Sequence, residues 1–224
     1  MKRFTYCNYF NCLRWIFIFN FLFYFIEIVY YAHMFVNKKK YYLFIENTRA
    51  FNLNLIKKRN KFHIIYRNHN NDEKLNNIIK FRNNCKKRGV KFYIANDISL
   101  LSKIKPDGLY ISAYNKNLSI KFLSAVGYKI IGSAHNQKEI NIRIIQGCKE
   151  IIFSRLFKTN YKFKKGFLGI NKFNILSIRT KQKLIPLGGI DEFNLKKLNI
   201  VRCESFACLS IIKKKPANII NRLF

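Results

Sequence analysis

Short apolar runs in this chain of 224 residues are repeatedly followed by polar residues of one chemical kind. Arg67 ends one run, with His69 two residues on, and Asn96-Asp97 ends the next. Asn115 follows another run through a loop, and Ser133-Ala134-His135 closes a further one. Later come Thr159 and Lys162 inside the basic stretch 158–165, then Gly188-Gly189, then Leu209-Ser210. The set holds cations, hydroxyls, glycines and a carboxylate, which is the chemistry of phosphate recognition. A Gly-Gly turn feeding a capped helix presents bare N–H groups that suit a phosphate. Arg67 and Lys162 suit a second phosphate group, and Asp97 suits a Mg²⁺ ion beside it. Each feature also has a plainer reading: Gly-Gly as a turn, Asn96-Asp97 as a helix cap, His135 as a structural histidine, the basic stretch as solvated surface. Recurrence at the ends of successive runs is what favours a site.

The runs themselves read as strands. They are Tyr41–Glu46, Phe62–Arg67, Val90–Ala95, Gly108–Ile111, Tyr128–Ser133, Glu150–Ser154, Leu184–Leu187 and Ser205–Ser210. Each is short and rich in β-branched or aromatic residues, as strands buried on both faces are. Amphipathic stretches lie between them. Asn71 or Asp72 is placed to cap a helix that buries Leu75, Ile78, Ile79 and Cys85 and ends near Gly89. Leu118, Phe122 and Leu123 form an apolar stripe after Asn115, and Ile140, Ile144 and Ile145 form another after Asn136. Asp191 is placed to cap a helix carrying Leu195 and Leu198. Strands alternating with helices predict an α/β fold, a parallel sheet closed into a (β/α)8 TIM barrel, with a doubly wound open sheet as the alternative. In such a barrel the active site lies at the C-terminal strand ends, where the polar residues fall.

Lys plus Arg number 43 against 11 Asp plus Glu, a net charge of +32. Such a balance suits nucleic acid or an anionic membrane. Yet the lysines are spread along the whole chain and rise together with Asn, Ile, Phe and Tyr, as an A/T-rich coding sequence would produce. A nucleic-acid partner is therefore not expected. The six cysteines form no C-x-x-C pair and no zinc-ligand spacing, and read as small buried residues of a reducing compartment. From Trp15 to Tyr31 the chain is almost wholly apolar, flanked by Lys2, Arg3 and Arg14 and by Lys38 to Lys40, but interrupted by Asn20 and Glu27. It reads as a membrane anchor, a stray extension, or translated upstream DNA with the true start at Met34; the last is preferred. The expected organisation is an extension over 1–33 and a barrel over 34–224. The protein is then cytoplasmic, or anchored to the inner membrane if the extension is genuine.

From Tyr41 onward the chain resembles the family of thiamine-phosphate synthases and TenI-like thiazole tautomerases. Asn96-Asp97 is similar to its strand-three N-D, and Asp107-Gly108-Leu109-Tyr110 to its D-G-V-H. Gly132-Ser133-Ala134-His135 is similar to its G-x-S-x-H with one residue fewer, Thr159 to Lys162 to its T-x-x-K, and Gly188-Gly189-Ile190 to its G-G-I. Leu209-Ser210 is similar to its phosphate-binding I-S. The resemblance implies condensation of aminopyrimidine methyl diphosphate with thiazole phosphate, giving thiamine phosphate and pyrophosphate. By position, Arg67, His69, Asn96 and Lys162 would face the diphosphate, with Ser133 at the reacting groups and Asp97 and Asn115 at Mg²⁺. Thr159, Gly188, Gly189, Leu209 and Ser210 would hold the thiazole phosphate.

The chain departs from that pattern at chemically important places. The family's R-E-K is Arg67-Asn68-His69, the Asp closing G-Q-E-D is Asn115, and the preceding G-Q is Ser112-Ala113. One strong cation and one anionic metal ligand are replaced, which weakens Coulomb attraction for both diphosphate and Mg²⁺. The alternatives are the family's thiazole tautomerase, with His135 as acid/base, and a non-catalytic barrel that retains a phosphate-ligand site.

Overall fold

The computed structural model describes residues 40–56, 59–70, 72–159, 166–191 and 193–208. The segment 1–33, Asn71, Lys162, Leu209 and Ser210 lie outside the described residues.

Eight parallel strands close into a barrel in chain order. They are β1 (Lys40–Ile45), β2 (Phe62–Tyr66), β3 (Lys91–Ala95), β4 (Gly108–Ile111), β5 (Lys129–Ala134), β6 (Glu150–Ser154), β7 (Lys183–Leu187) and β8 (Ser205–Cys208). Closure is made by β1 against β8, with Tyr41 opposite Phe206 and Leu43 opposite Cys208. Among the described residues five α-helices lie between the strands: α1 (Leu75–Lys87), α2 (Ser99–Ile104), α3 (Lys121–Ala125), α4 (Gln137–Ile145) and α5 (Ile170–Arg179). Short 3-10 turns join β1 to β2, precede α3, and replace a helix between β7 and β8.

The alternation of side chains along each strand makes two cores. Tyr42, Phe44, Ile65, Tyr93, Tyr110, Ile131, Ile152, Ile185, Leu187 and Ala207 pack with one another and, among the described residues, with no helix residue, so they fill the barrel. Their neighbours Leu43, Ile64, Phe92, Leu109, Ile151 and Phe206 pack outward against Ile78, Phe81, Ile140 and Phe173 of the helices. Among the described residues no helix is long and apolar enough to cross a membrane. Cys85, Cys148 and Cys208 are buried free thiols, and burial pushes the first two up to about 12.

Several helical expectations need correction. Helix α1 has Lys74 at its N-cap with no side-chain cap, because Asp72 accepts from Asn68 Nδ2 at 2.8 Å. Its buried face is Ile78, Phe81 and Cys85. Before α3 the cap is Asn117, which accepts from the Ser119 N–H at 2.9 Å. A 3-10 turn running straight into α3 shifts the helical phase, so Ile120 and Leu123 are buried while Leu118 and Phe122 are exposed. On α4 the buried partner of Ile140 is Arg143, and Ile144 and Ile145 face outward. Asp191 accepts from the Phe193 and Asn194 N–H groups, as expected of a cap, but the helix beyond it, from Leu195 to Ile200, is 3-10 rather than α.

Candidate active site

The C-terminal ends of β2, β3 and β4 open into a cavity of about 660 Å³. Arg67, His69, Asn96 and Asp97 line it, with Ser112 and Tyr114 from the loop after β4. Arg67 is fixed just past β2, where its N–H continues the ladder to the Ile45 carbonyl at 2.8 Å. His69 lies two residues further along the exposed loop.

Asn96 adopts φ +59°, a left-handed conformation that Asn tolerates better than most side chains. Its N–H donates to the Tyr110 carbonyl at 2.8 Å, and its Oδ1 accepts from the Ser112 N–H at 2.9 Å. The pairing of β3 with β4 thus continues past the strands, and the amide Nδ2 is the part Asn96 can present to an anion. Asp97 is partly used as a cap: Oδ1 accepts from Ser99 Oγ at 2.6 Å and from the Leu100 N–H at 3.3 Å. Among the described residues its Oδ2 makes no hydrogen bond.

Asn115 does not line this cavity. Its Oδ1 accepts from the Asn117 N–H at 2.9 Å, an Asx turn that competes with metal ligation. Among the described residues there is no group of three or more His, Cys, Asp or Glu able to hold a metal.

Ser133 is buried near the C-terminal end of β5, close to the hydroxyl of Tyr110. Burial raises the Tyr110 phenol, against the Ser133 hydroxyl and the nearby charges of Arg67 and Arg143, which pull it back. His135 begins the next loop at the rim. Glu139 Oε2 accepts from its backbone N–H at 2.7 Å and lies 2.9 Å from its Nδ1. Asn136 Oδ1 accepts from the Glu139 N–H at 2.9 Å, so the Asn136 cap starts α4 and Glu139, reaching back to His135, orients the imidazole.

On the other side of the mouth, Thr159 Oγ1 accepts from Arg155 Nη1 at 2.8 Å. Gly188 and Gly189 follow β7 at φ +98° and +67°. The Phe157 N–H donates to the Gly188 carbonyl at 3.0 Å, and Asn194 Nδ2 donates to the Gly189 carbonyl at 2.6 Å. The two glycines therefore lie against the β6 loop as well as at the barrel mouth.

The strand-end pattern brings Arg67, His69, Asn96 and Asp97 into one cavity. Tyr114, 78% exposed, and Ser112 were not expected to line it. Their position beside Asn115 was the available signal.

The class is a closed parallel (β/α)8 barrel with cationic and amide groups at its C-terminal mouth. Residues 36–212 match the thiamine monophosphate synthase (TMP-TENI) family, and the chain belongs to that family. It is 29% identical over 131 residues to a thiamine-phosphate synthase of Prochlorococcus marinus, a match over 57% of this chain and 37% of the relative. That match spans little more than a third of the relative's length. The thiamine-phosphate synthase of Pelagibacter ubique is 28% identical over 150 residues, 64% of this chain and 72% of that one. Among solved structures, thiamine phosphate pyrophosphorylase from Pyrococcus furiosus superposes with a TM-score of 0.61 at 12% identity, over 84% of this chain and 98% of that one. A 3-keto-L-gulonate-6-phosphate decarboxylase from Vibrio cholerae superposes with a TM-score of 0.60 at 13% identity, over 84% and 96%. At such identities the likeness is one of fold.

Proposed function

We propose that this barrel is a thiamine-phosphate synthase, joining aminopyrimidine methyl diphosphate to thiazole phosphate. The observation that carries this reading is the meeting of Arg67, His69, Asn96 and Asp97 around one cavity. The bond between the pyrimidine methylene and the diphosphate breaks, and its electron pair leaves with pyrophosphate. The thiazole nitrogen supplies the lone pair for the new C–N bond. Such chemistry needs leaving-group stabilisation and positioning rather than a protein nucleophile. The Arg67 guanidinium, Asn96 Nδ2 and the His69 ring face the departing diphosphate, with Lys162 as a further cation. Ser133, beside Tyr110, faces the reacting groups. Thr159, Gly188, Gly189, Leu209 and Ser210 take the thiazole phosphate.

The donor set fits a Mg²⁺ ion that arrives with its phosphate oxygens and waters, since Mg²⁺ is commonly held by one or two carboxylates plus substrate. Asp97 Oδ2 is the oxygen that would hold it, whereas the Asn115 side-chain oxygen is committed to Asn117. When bound, Mg²⁺ offsets the charge that builds on the leaving diphosphate.

A second reading, the thiazole tautomerase, is favoured by the contact between His135 Nδ1 and Glu139 Oε2 at 2.9 Å. A base oriented by a carboxylate is suited to moving a proton through its other nitrogen. Turnover of both reactions by the full chain, with Mg²⁺ or chelator, separates the two. For the synthase, Asp97→Ala loses about 3 kcal/mol of transition-state stabilisation and His135→Ala changes little. The reverse pattern, insensitive to chelator, makes the protein a tautomerase. Absence of both reactions leaves a non-catalytic binder of phosphorylated ligands.

A further inference from the structure

Helix α4 buries two polar side chains completely, Arg143 and Gln146 at its C-cap. Arg143 Nη1 donates to the Ser112 carbonyl at 2.9 Å and Nη2 to the Asn115 carbonyl at 2.7 Å. Gln146 Nε2 donates to the Asn115 carbonyl at 3.1 Å and to the Asn117 carbonyl at 2.8 Å. All of these bonds end on one loop, the segment after β4 that supplies Ser112 and Tyr114 to the cavity.

The arrangement is costly for a helix that needs only packing. Among the described residues no carboxylate forms an ion pair with Arg143, and Glu139 acts on it only at longer range. Its Nε and the Gln146 Oε1 are buried without a hydrogen-bond partner among the described residues. A buried cation with no acid is strongly disfavoured. The strand has also made room for it: a Cβ on Gly132 would lie 2.5 Å from Arg143 Cδ. The guanidinium sits close enough to Tyr110 to act on its phenol, as Arg67 does, so the Tyr110–Ser133 pair lies in the field of two cations.

We infer that Arg143, helped by Gln146, is a positioning residue that locks the Ser112–Asn117 loop as one wall of the diphosphate cavity. A carbonyl-rich loop held from beneath by a cation keeps its backbone oxygens turned away from the ligand. The inference rests on the reading of this cavity as an anion site.

The test uses the full chain with Arg143→Met, Arg143→Lys and Gln146→Met. Binding of inorganic pyrophosphate with Mg²⁺ is measured by calorimetry, and steady-state kinetics are measured with both precursors. Arg143→Met is expected to raise the pyrophosphate Kd and the KM for the pyrimidine diphosphate about tenfold, a typical consequence of losing one ordering interaction. Its KM for thiazole phosphate stays within about twofold, because that ligand is assigned to the ends of other strands. Arg143→Lys recovers part of the affinity by keeping the charge, and Gln146→Met shifts Kd the same way by less. A purely structural loss lowers the active fraction at unchanged KM, and that result overturns the inference. Should Arg143→Met not fold, an unchanged Kd in Gln146→Met overturns it equally. Amide hydrogen exchange separates this from failure of the cavity reading. If wild type binds no pyrophosphate, faster exchange confined to residues 112–117 in the variants still supports the clamp, and exchange spread evenly along the chain rejects it.

Discussion

Gly189 is fixed by its backbone before any ligand is considered. At φ +67° an added Cβ would lie 2.4 Å from the Lys158 carbonyl oxygen and 2.6 Å from that of Phe157. Both obstacles are backbone, so neither yields as a flexible side chain would. Gly189→Ala is expected to cost about 2–3 kcal/mol, seen as a lowered urea midpoint at unchanged m-value. A loss of phosphate binding in any Gly189 variant must therefore be read against its stability. Much of the candidate site was legible at this scale. Arg67, His69, Asn96 and Asp97 were found because a strand-end position follows directly from where an apolar run stops. What each side-chain oxygen does was not legible. Asp97 Oδ1 caps the chain entering α2, and Asn115 Oδ1 closes an Asx turn onto Asn117. Both choices depend on loop dihedrals, and spacing alone does not distinguish an Asx turn from a metal ligand. Arg143 and Gln146 escaped for a related reason: each interrupts an isoleucine-rich stretch that reads as an ordinary apolar face.

Helix α4 shows how the elements are started and how they position the rim. Asn136 accepts from the Glu139 N–H at 2.9 Å and donates to Glu139 Oε1 at 3.0 Å, while Glu139 reaches back to the His135 N–H at 2.7 Å. Asn136→Ala is expected to lower stability by about 1 kcal/mol in urea titration. Glu139→Ala additionally frees the imidazole, so a tautomerase would lose rate in it while a synthase would not. The strands were legible to within a residue or two, since short β-branched runs broken by turn residues admit few alternatives. The helices were less so. Helix α5 was not anticipated, and the stripes through Leu118 and Phe122 and through Ile144 and Ile145 point outward. Hydrophobicity marks the buried face only when the exposed face is polar. Here the surface itself carries Ile and Phe, such as Ile175 and Ile178 on α5, so the signal loses its contrast.

Across the whole molecule the two ends of the barrel differ in charge chemistry. At the C-terminal mouth cationic and amide groups line a cavity, whereas at the N-terminal end a buried carboxylate is ringed by its own polar partners. Glu150 at the start of β6 pairs with Lys40 of β1 at 2.9 Å and with Lys129 of β5 at 2.8 Å, and accepts from the Tyr42 hydroxyl. Burial alone would raise the Glu150 carboxyl, but hydrogen bonds from Lys129 and Tyr42 and the Lys129 charge bring it down to about 2. Beside it, His63 stacks on Tyr93 at 5.6 Å and shares a hydrogen bond of 3.3 Å with its hydroxyl. Burial, with the Lys129 charge, lowers His63 to about 3. Both groups bind protons more tightly in the unfolded chain, so both favour the fold at neutral pH and stop doing so as pH falls. The His63 contribution fades from about pH 6.5, its ordinary value, towards 3, and the Glu150 contribution from about 4.5 towards 2. By pH 4 the His63 effect alone amounts to about 3 kcal/mol. Thermal melting of wild type should therefore decline steadily between pH 6.5 and 4.5, before the carboxylates titrate. His63→Phe should melt somewhat lower at pH 7, since Tyr93 loses its partner, but should show a flat profile over that interval. Glu150→Gln should instead be destabilised by about 3–5 kcal/mol at neutral pH, because it leaves Lys40 and Lys129 charged against a neutral amide. A wild-type profile that is already flat from pH 6.5 to 4.5 would mean that His63 binds its proton as readily in the barrel as in the unfolded chain.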